Sequence, residues 1–371
     1  MKLSLKILPK KYALEEFINT ILLLKLPPYS RIKILCYFTQ YENWIDGNPN
    51  LIELLKKNGV MIEDFGEIKK LTAFYVDSRT QEKVEIVFYT RLNPDAKILY
   101  CITIASMTGI NYTLDRIARN SRGFYFLPIG VYTFNLITNF LLQSDKNTKC
   151  TYFSATHSPW STIEGEVRSR IDRTTIYYGF DGFQSLEELK SFYGVLPKTI
   201  RYDVPDYGIF EIKNSGCFTL MGEKIEVESR RMLLKLSEIA IKDVLVKKEV
   251  IDAADFSIIP IETESRIIRI PKSTPWIYKF SKELKDEYLD LLINGLIEDE
   301  FTLFNYTTFE GGSFILSGMV YDEIKNNIFT IHVDNSKIIV APSKTPQFDS
   351  FLRFYETLEY FDPEGVVQAM D

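Results

Sequence analysis

The stretch Tyr207–Val250, YGIFEIKNSGCFTLMGEKIEVESRRMLLKLSEIAIKDVLVKKEV, constrains this chain more than any other. Ile209–Lys213 and Cys217–Met221 come close to alternating apolar and polar residues, and Asn214-Ser215-Gly216 between them is a tight-turn signal, so the pair reads as a β-hairpin. A helix follows, with Met232, Leu233, Leu236, Ile239, Ala240 and Val244 at three- and four-residue spacing along one stripe. A two-stranded ribbon cannot bury that stripe unaided. The hairpin must therefore belong to a larger antiparallel sheet that the helix covers on one face, which leaves the other face for binding.

At 371 residues the chain exceeds one small core, and two or three domains are expected. Its net charge of −6 is unevenly spread: residues 1–160 carry 20 Lys/Arg against 14 Asp/Glu (+6), residues 161–250 come to −1 and residues 251–371 to −11. A basic first part and an acidic last part point to different partners for each. Cys36, Cys101, Cys150 and Cys217 stand far apart without a CxxC pair, which argues against a zinc site or a disulfide framework and for a reducing compartment. The first residues lack the apolar core of a signal peptide, and runs such as Ile21–Leu24 and Ile98–Ala105 fall far short of the roughly 20 residues of a membrane span. An intracellular protein with no membrane partner is expected.

Along the chain, residues 2–8 pattern as a strand, Tyr12–Leu24 as a helix, Arg31–Thr39 as a strand and Asn50–Lys57 as a short helix capped by Asn50 and ended near Gly59. Strands follow at Leu71–Val76, Lys83–Arg91 and Lys97–Ala105. Helical patterns at Tyr112–Ala118 and Val131–Leu142 then flank a strand at Gly123–Leu127. The polar, turn-rich segment after Ser154 suggests a boundary, so residues 1–160 are expected to form a basic α+β domain.

Beyond it, strand Thr174–Tyr178, helix Ser185–Phe192, strand Thr199–Asp203, the hairpin and its helix make one series. Strands Ile258–Ile261 and Arg266–Ile270, helix Lys282–Ile297, strands Phe301–Thr307 and Phe314–Tyr321, hairpin Ile328–Val340 and helix Gln347–Tyr360 make a second. Both run strand, helix, several strands, helix, an internal repeat of roughly a hundred residues.

These residues resemble the TATA-box-binding protein family. Each half of that family's saddle has a strand leading into Ser-Gly-Lys, a strand ending in Thr-Gly-Ala-Lys, and a long amphipathic helix. Here stand Ser215-Gly216-Cys217, then Met221-Gly222-Glu223-Lys224, then a helix opened by Glu226, Glu228, Ser229 and Arg230. In the second copy, Ile315–Lys344 aligns without a gap, placing Gly318, Tyr321, Ile324-Lys325 and the Asn335-Ser336-Lys337 turn on that half's Gly, Tyr, Ile-Lys and Ser-Gly-Lys. The resemblance implies an α+β fold with a duplicated saddle, a curved antiparallel sheet with helices on its convex face. Repeats would occupy residues 166–250 and 251–361, with an acidic tail at 362–371.

It further implies a transcription initiation factor whose concave face binds AT-rich, bent promoter DNA in the minor groove and which recruits initiation factors and RNA polymerase at the site of transcription. The family's wedge positions fall on Leu196, Lys213, Leu316 and Val333, and its groove-floor positions on Thr219, Met221, Ile339 and Ala341; Thr174 takes the place of a base-contacting asparagine. Of the wedge residues, Leu suits intercalation, Val less so, and Lys213 suits a phosphate. Because residues 161–371 are acidic, the alternative is a scaffold subunit of a transcription complex that keeps the saddle but binds protein.

An enzyme is the rival class. His157 and His332 are the two histidines, the run His157-Ser158-Pro159-Trp160-Ser161 lacks nucleophile-elbow spacing, and Glu298-Asp299-Glu300 reads as a solvated edge. No catalytic constellation and no cofactor motif emerges, so a non-enzymatic protein is expected.

Overall fold

The computed structural model describes residues 31–41, 44–45, 50–157, 174–222, 226–262, 267–308, 315–343 and 347–369. The strand and helix expected within residues 2–24 lie outside them. The fold is α+β, built on two large antiparallel sheets and a separate ribbon.

The first sheet has eleven strands: β1 (Arg31–Thr39), β2 (Met61–Phe65), β3 (Ile68–Val76), β4 (Lys83–Asn93), β5 (Ile98–Thr103), β6 (Phe124–Phe126), β7 (Lys149–His157), β8 (Thr174–Tyr178), β9 (Val195–Val204), β10 (Gly208–Lys213) and β11 (Cys217–Met221). They lie in the order β2-β3-β4-β5-β1-β11-β10-β9-β7-β8, with β6 also paired to β1. β1 is the seam. Lys33 stands opposite Thr103 of β5 on one side and Thr219 of β11 on the other, and further along Tyr37 meets Phe126 of β6.

Helices cover the two halves of this sheet on opposite faces. α1 (Leu51–Lys57), α2 (Met107–Asn111) and α3 (Leu114–Asn120) share a core with Leu35, Tyr37, Leu71, Phe88 and Leu99. α4 (Val131–Ser144), α5 (Gly182–Tyr193) and α6 (Val227–Asp252) share the other core with Ile34, Phe38, Ile200, Phe210 and Phe218. Side chains alternate faces along a strand, so β1 feeds both cores and is buried from Ile32 to Thr39. Local signals hold the helices as expected. Asn50 and Glu53 form a reciprocal capping box on α1, and the apolar stripe of α6 buries Met232, Leu233, Leu236, Ala240 and Val244.

A ribbon of β12 (Asp255–Glu262) and β13 (Ile267–Thr274) stands apart. The last sheet comprises β14 (Trp276–Lys279), β15 (Phe301–Thr308), β16 (Leu316–Asp322), β17 (Asn327–Val333), β18 (Lys337–Pro342) and β19 (Val366–Ala369), in the order β15-β16-β17-β18-β14-β19. α7 (Asp286–Glu298) follows β14, and α8 (Phe348–Phe361) follows β18. Strict alternation of buried and half-buried residues along β16, β17 and β18 gives this sheet one covered face. Trp276, Phe301, Phe329, Phe351 and Phe354 meet edge to face beneath it, with centroids 4.9–6.4 Å apart. α8 packs on α6, so one continuous apolar core lies between the two sheets.

The repeat is real in topology but differently placed. β1-α1-β2-β3-β4-β5-α2-α3 and β14-α7-β15-β16-β17-β18-α8 share one plan, strand, helix, four-strand meander and helix, with the first strand added beside the last. Between them, β6-α4-β7-β9-β10-β11-α6 keeps the meander between two helices, with β8 and α5 inserted; its short first strand lies against β1. Three expectations are thereby corrected. The saddle over residues 166–361 needs both hairpins in one sheet, yet β10–β11 and β17–β18 belong to different sheets. The boundary at residue 160 falls within a sheet that runs from β1 to β11, because hydrogen bonding between distant strands is invisible to local composition. Residues 366–369 of the expected acidic tail form β19, paired with β14.

One buried joint fixes the last unit on the first. Lys325, in the turn between β16 and β17, is fully buried, and its Nζ donates to the carbonyls of Ala118 in the last turn of α3 (2.7 Å), Ser121 just beyond it (2.6 Å) and Phe124 at the start of β6 (3.2 Å). Asp349 of α8 lies 3.6 Å from that ammonium and accepts the Gly123 N–H at 2.8 Å. Burial pulls the Lys325 pKa down to about 8, against the opposing pull of Asp349. Beside it, Asp322 accepts from Arg353, from Ser350 Oγ at 2.8 Å, and from the backbone N–H groups of Ile324 and Lys325 at 3.1 and 3.0 Å.

Candidate nucleic-acid interface

With α4–α6 on one face, the other face of β8-β7-β9-β10 has no helix across it among the described residues. Strand register lays out its rows. One runs Tyr178, Tyr152, Arg201, Glu211, Thr219 and Lys33; a second runs Ile176, Ser154, Thr199, Lys213 and Cys217; a third runs Lys149, Asp203, Ile209, Met221 and Arg31. Towards β11 the surface closes, since Thr219 and Lys33 are buried and Cys217 Sγ lies 3.8 Å from Met107 Sδ of α2. Lys33 Nζ donates to the Ala105 carbonyl at 2.6 Å, and burial lowers its pKa. The accessible part therefore extends from β10 to β8.

Its chemistry combines rings and cations. Tyr152 and Tyr178 have centroids 4.9 Å apart, the Arg201 guanidinium lies 4.8 Å over Tyr152, and Lys149 Nζ lies 5.5 Å from the Phe180 ring. Tyr178 and Phe180 are 73% and 75% exposed. Arg201 donates to Glu211 Oε2 through Nη2 at 2.6 Å and Nε at 3.1 Å, which fixes the guanidinium against Tyr152. Lys213 and Arg31 add positive charge to the neighbouring rows.

The eight expected DNA contacts do not converge. Lys213, Thr219 and Met221 share this face, as the hairpin pattern implies, although Thr219 is buried. Leu196, 7% exposed, lines a cavity at the end of β9. Leu316 and Val333 stand opposite one another and are 1% and 0% exposed on the helix-covered face of the last sheet, so they cannot wedge into DNA. Ile339 and Ala341 are half-buried on the opposite side of that sheet. The alignment conserved spacing, but the side that a helix covers decides which of two alternating faces is open. Thr174 is exposed on β8. Sequence reasoning missed Tyr152, Tyr178, Phe180 and Arg201, although Thr199, Arg201 and Asp203, polar at alternate positions of β9, carried the signal of an open face.

Among the described residues the histidines meet a backbone carbonyl and a serine hydroxyl. His157 Nδ1 meets the Tyr193 carbonyl at 2.9 Å, and His332 Nδ1 shares a hydrogen bond with Ser317 Oγ at 2.8 Å. All four cysteines are buried thiols; burial pushes Cys150 up to about 12 and Cys217 up to about 11. Among the described residues no group of three or more His, Cys, Asp or Glu is placed to hold a metal, and no helix is long and apolar enough to cross a membrane.

Comparison with known proteins adds little chemistry. A family model described as AF_0896_M, a family middle domain, matches residues 133–215. That segment carries Tyr152, Tyr178, Phe180, Arg201 and Lys213, and it runs across residue 160. An uncharacterized protein of Archaeoglobus fulgidus is 25% identical over 225 residues, which cover 56% of this chain and 57% of that protein. The chain thus spans a little over half the length of that relative. No solved structure matches.

Proposed function

We propose that this protein is a non-enzymatic nucleic-acid-binding factor whose interface is the open face of β8-β7-β9-β10. One observation carries this: Tyr152, Tyr178 and the cations Arg201, Lys213, Arg31 and Lys149 share a single antiparallel sheet face that no helix among the described residues covers. Bases stack on such rings at roughly 1–3 kcal/mol each, and Lys213, Arg31 and Lys149 are suited to the phosphates that run alongside. In its narrower form the proposal is the one implied by the resemblance, promoter DNA in transcription initiation, with the grip moved from four wedges to this face. Edge strand β8, with Ile176 57% exposed, favours a second function, a scaffold that adds a partner protein's strand.

Fluorescence polarisation with AT-rich duplex, GC-rich duplex and AT-rich single strand, each at 50–300 mM salt, tests both. Binding should weaken at least tenfold in Tyr152→Ala plus Tyr178→Ala, and Lys213→Glu should flatten the salt dependence. Preference for AT-rich duplex supports the promoter form. Absence of binding to all three probes at low salt, or wild-type affinity in these variants, overturns nucleic-acid binding and leaves the scaffold.

A further inference from the structure

The three rows of the open face differ in chemistry, and the difference selects among nucleic acids. The middle row carries the planar groups, Tyr178, Tyr152 and the Arg201 guanidinium that stands over the Tyr152 ring. Glu211 holds that guanidinium with two hydrogen bonds to Oε2. Tied to a carboxylate, Arg201 serves as a stacking plane and not as a phosphate ligand.

The rows flanking it are unlike each other. On one side Ser154, Thr199 and Lys213 stand next to one another on β7, β9 and β10, two hydroxyls and an ammonium in a row without a carboxylate. Such groups are the usual partners of phosphate oxygens. On the other side Lys149 and Arg31 occupy the ends, and Asp203, Ile209 and Met221 fill the positions between them. Asp203 is half-buried and lies two residues, about 6.5 Å of strand, from Arg201. No described residue donates a hydrogen bond to its carboxylate, which can accept but not donate. A duplex keeps its base faces stacked inside and carries a phosphate line along each side of a groove. Over this face, one of those lines would fall on the hydroxyls and the other on Asp203 and two apolar side chains. A single strand has one phosphate line and leaves base faces and edges open.

On the reading of this face as a nucleic-acid interface, we infer that it takes an unpaired strand laid across β8-β7-β9-β10 and reads an amino-bearing base. The phosphates follow Ser154, Thr199 and Lys213, bases stack on Tyr178 and Tyr152, and Asp203 accepts from an exocyclic amino group. Cytosine offers its N4 amino group where thymine offers the O4 acceptor, so the carboxylate favours cytosine over thymine.

The test is fluorescence polarisation of the full chain at low salt with oligo(dC), oligo(dT), and a mixed C and T strand both free and annealed to its complement. The free strand should bind at least tenfold more tightly than its duplex, and oligo(dC) about fivefold more tightly than oligo(dT). Asp203→Asn keeps the side-chain shape but adds a donor, and should erase the preference for oligo(dC) without weakening oligo(dT). Thr199→Glu, which places a carboxylate in the phosphate row, should weaken both homopolymers at least tenfold. Duplex bound as tightly as the free strand, equal affinity for the two homopolymers, or a cytosine preference that survives Asp203→Asn overturns the inference and leaves nucleic-acid binding by this face standing. Binding of none of the probes overturns both.

Discussion

Replacing Gly216 by alanine tests whether the first sheet is continuous across its seam. Gly216 has φ +69° in the turn between β10 and β11. A Cβ there would lie 2.7 Å from the Leu127 carbonyl oxygen, 2.8 Å from the Leu127 Cβ and 3.3 Å from the Cys36 carbonyl oxygen. Two of these are backbone atoms, fixed because Cys36 N–H donates to the Gly216 carbonyl and Leu127 N–H to the Cys36 carbonyl. Gly59 is the internal control, with φ +77° and nothing within 4 Å of its added Cβ. The left-handed conformation costs an alanine about 1–2 kcal/mol, offset by about 0.4–1 kcal/mol from stiffening the unfolded chain. Gly59→Ala should therefore lose about 0 to 1.6 kcal/mol. Gly216→Ala adds an overlap that only a backbone shift can relieve, worth a further ~1–3 kcal/mol. Equilibrium urea unfolding of both variants gives the difference from the midpoints at a common slope. If Gly216→Ala loses no more than Gly59→Ala, the hairpin is not held against β1 and the segment after β6, and the seam as described is wrong.

Arg353→Met should destabilise by about 3–5 kcal/mol in urea, since it leaves the fully buried Asp322 carboxylate without its cation. A loss under 1 kcal/mol would show that backbone N–H groups suffice. Lys325 predicts a pH effect. Its folded pKa of about 8 lies below the ordinary 10.5, so between those values the unfolded chain binds more protons and stability due to this group rises with pH. Wild type should gain stability relative to Lys325→Met between about pH 8 and 10; a flat difference contradicts the lowering of the Lys325 pKa by burial. A thiol reagent at pH 8 should modify none of the four cysteines in the native protein within minutes and all four in denaturant, because each is buried.

Local structure was largely legible in the sequence. The strand at Arg31–Thr39, the Asn50 cap, the Ile209–Met221 hairpin and the α6 stripe all appear as the residue patterns dictate. What the sequence concealed is long-range. β1 is apolar without a break from Ile34 to Phe38, so alternation could not show that it serves two cores. Nothing near Lys325 in sequence announces the Ala118, Ser121 and Phe124 carbonyls it caps. Leu316 and Val333 illustrate the same limit at the site. A period of two places residues on alternate faces, but only the helix packed against one face tells which is open.

The position of β1 also bears on how this chain is made. Its partner β11 is synthesised only after the ribosome has moved from Thr39 to Cys217, which at about 5–20 residues per second takes on the order of ten to forty seconds. Throughout that interval the nascent chain carries a strand that is apolar on both faces, with its β11-side edge unsatisfied. A nascent chain stalled before residue 217 should thus be bound by chaperones or aggregate, and release from that state should coincide with the emergence of the hairpin.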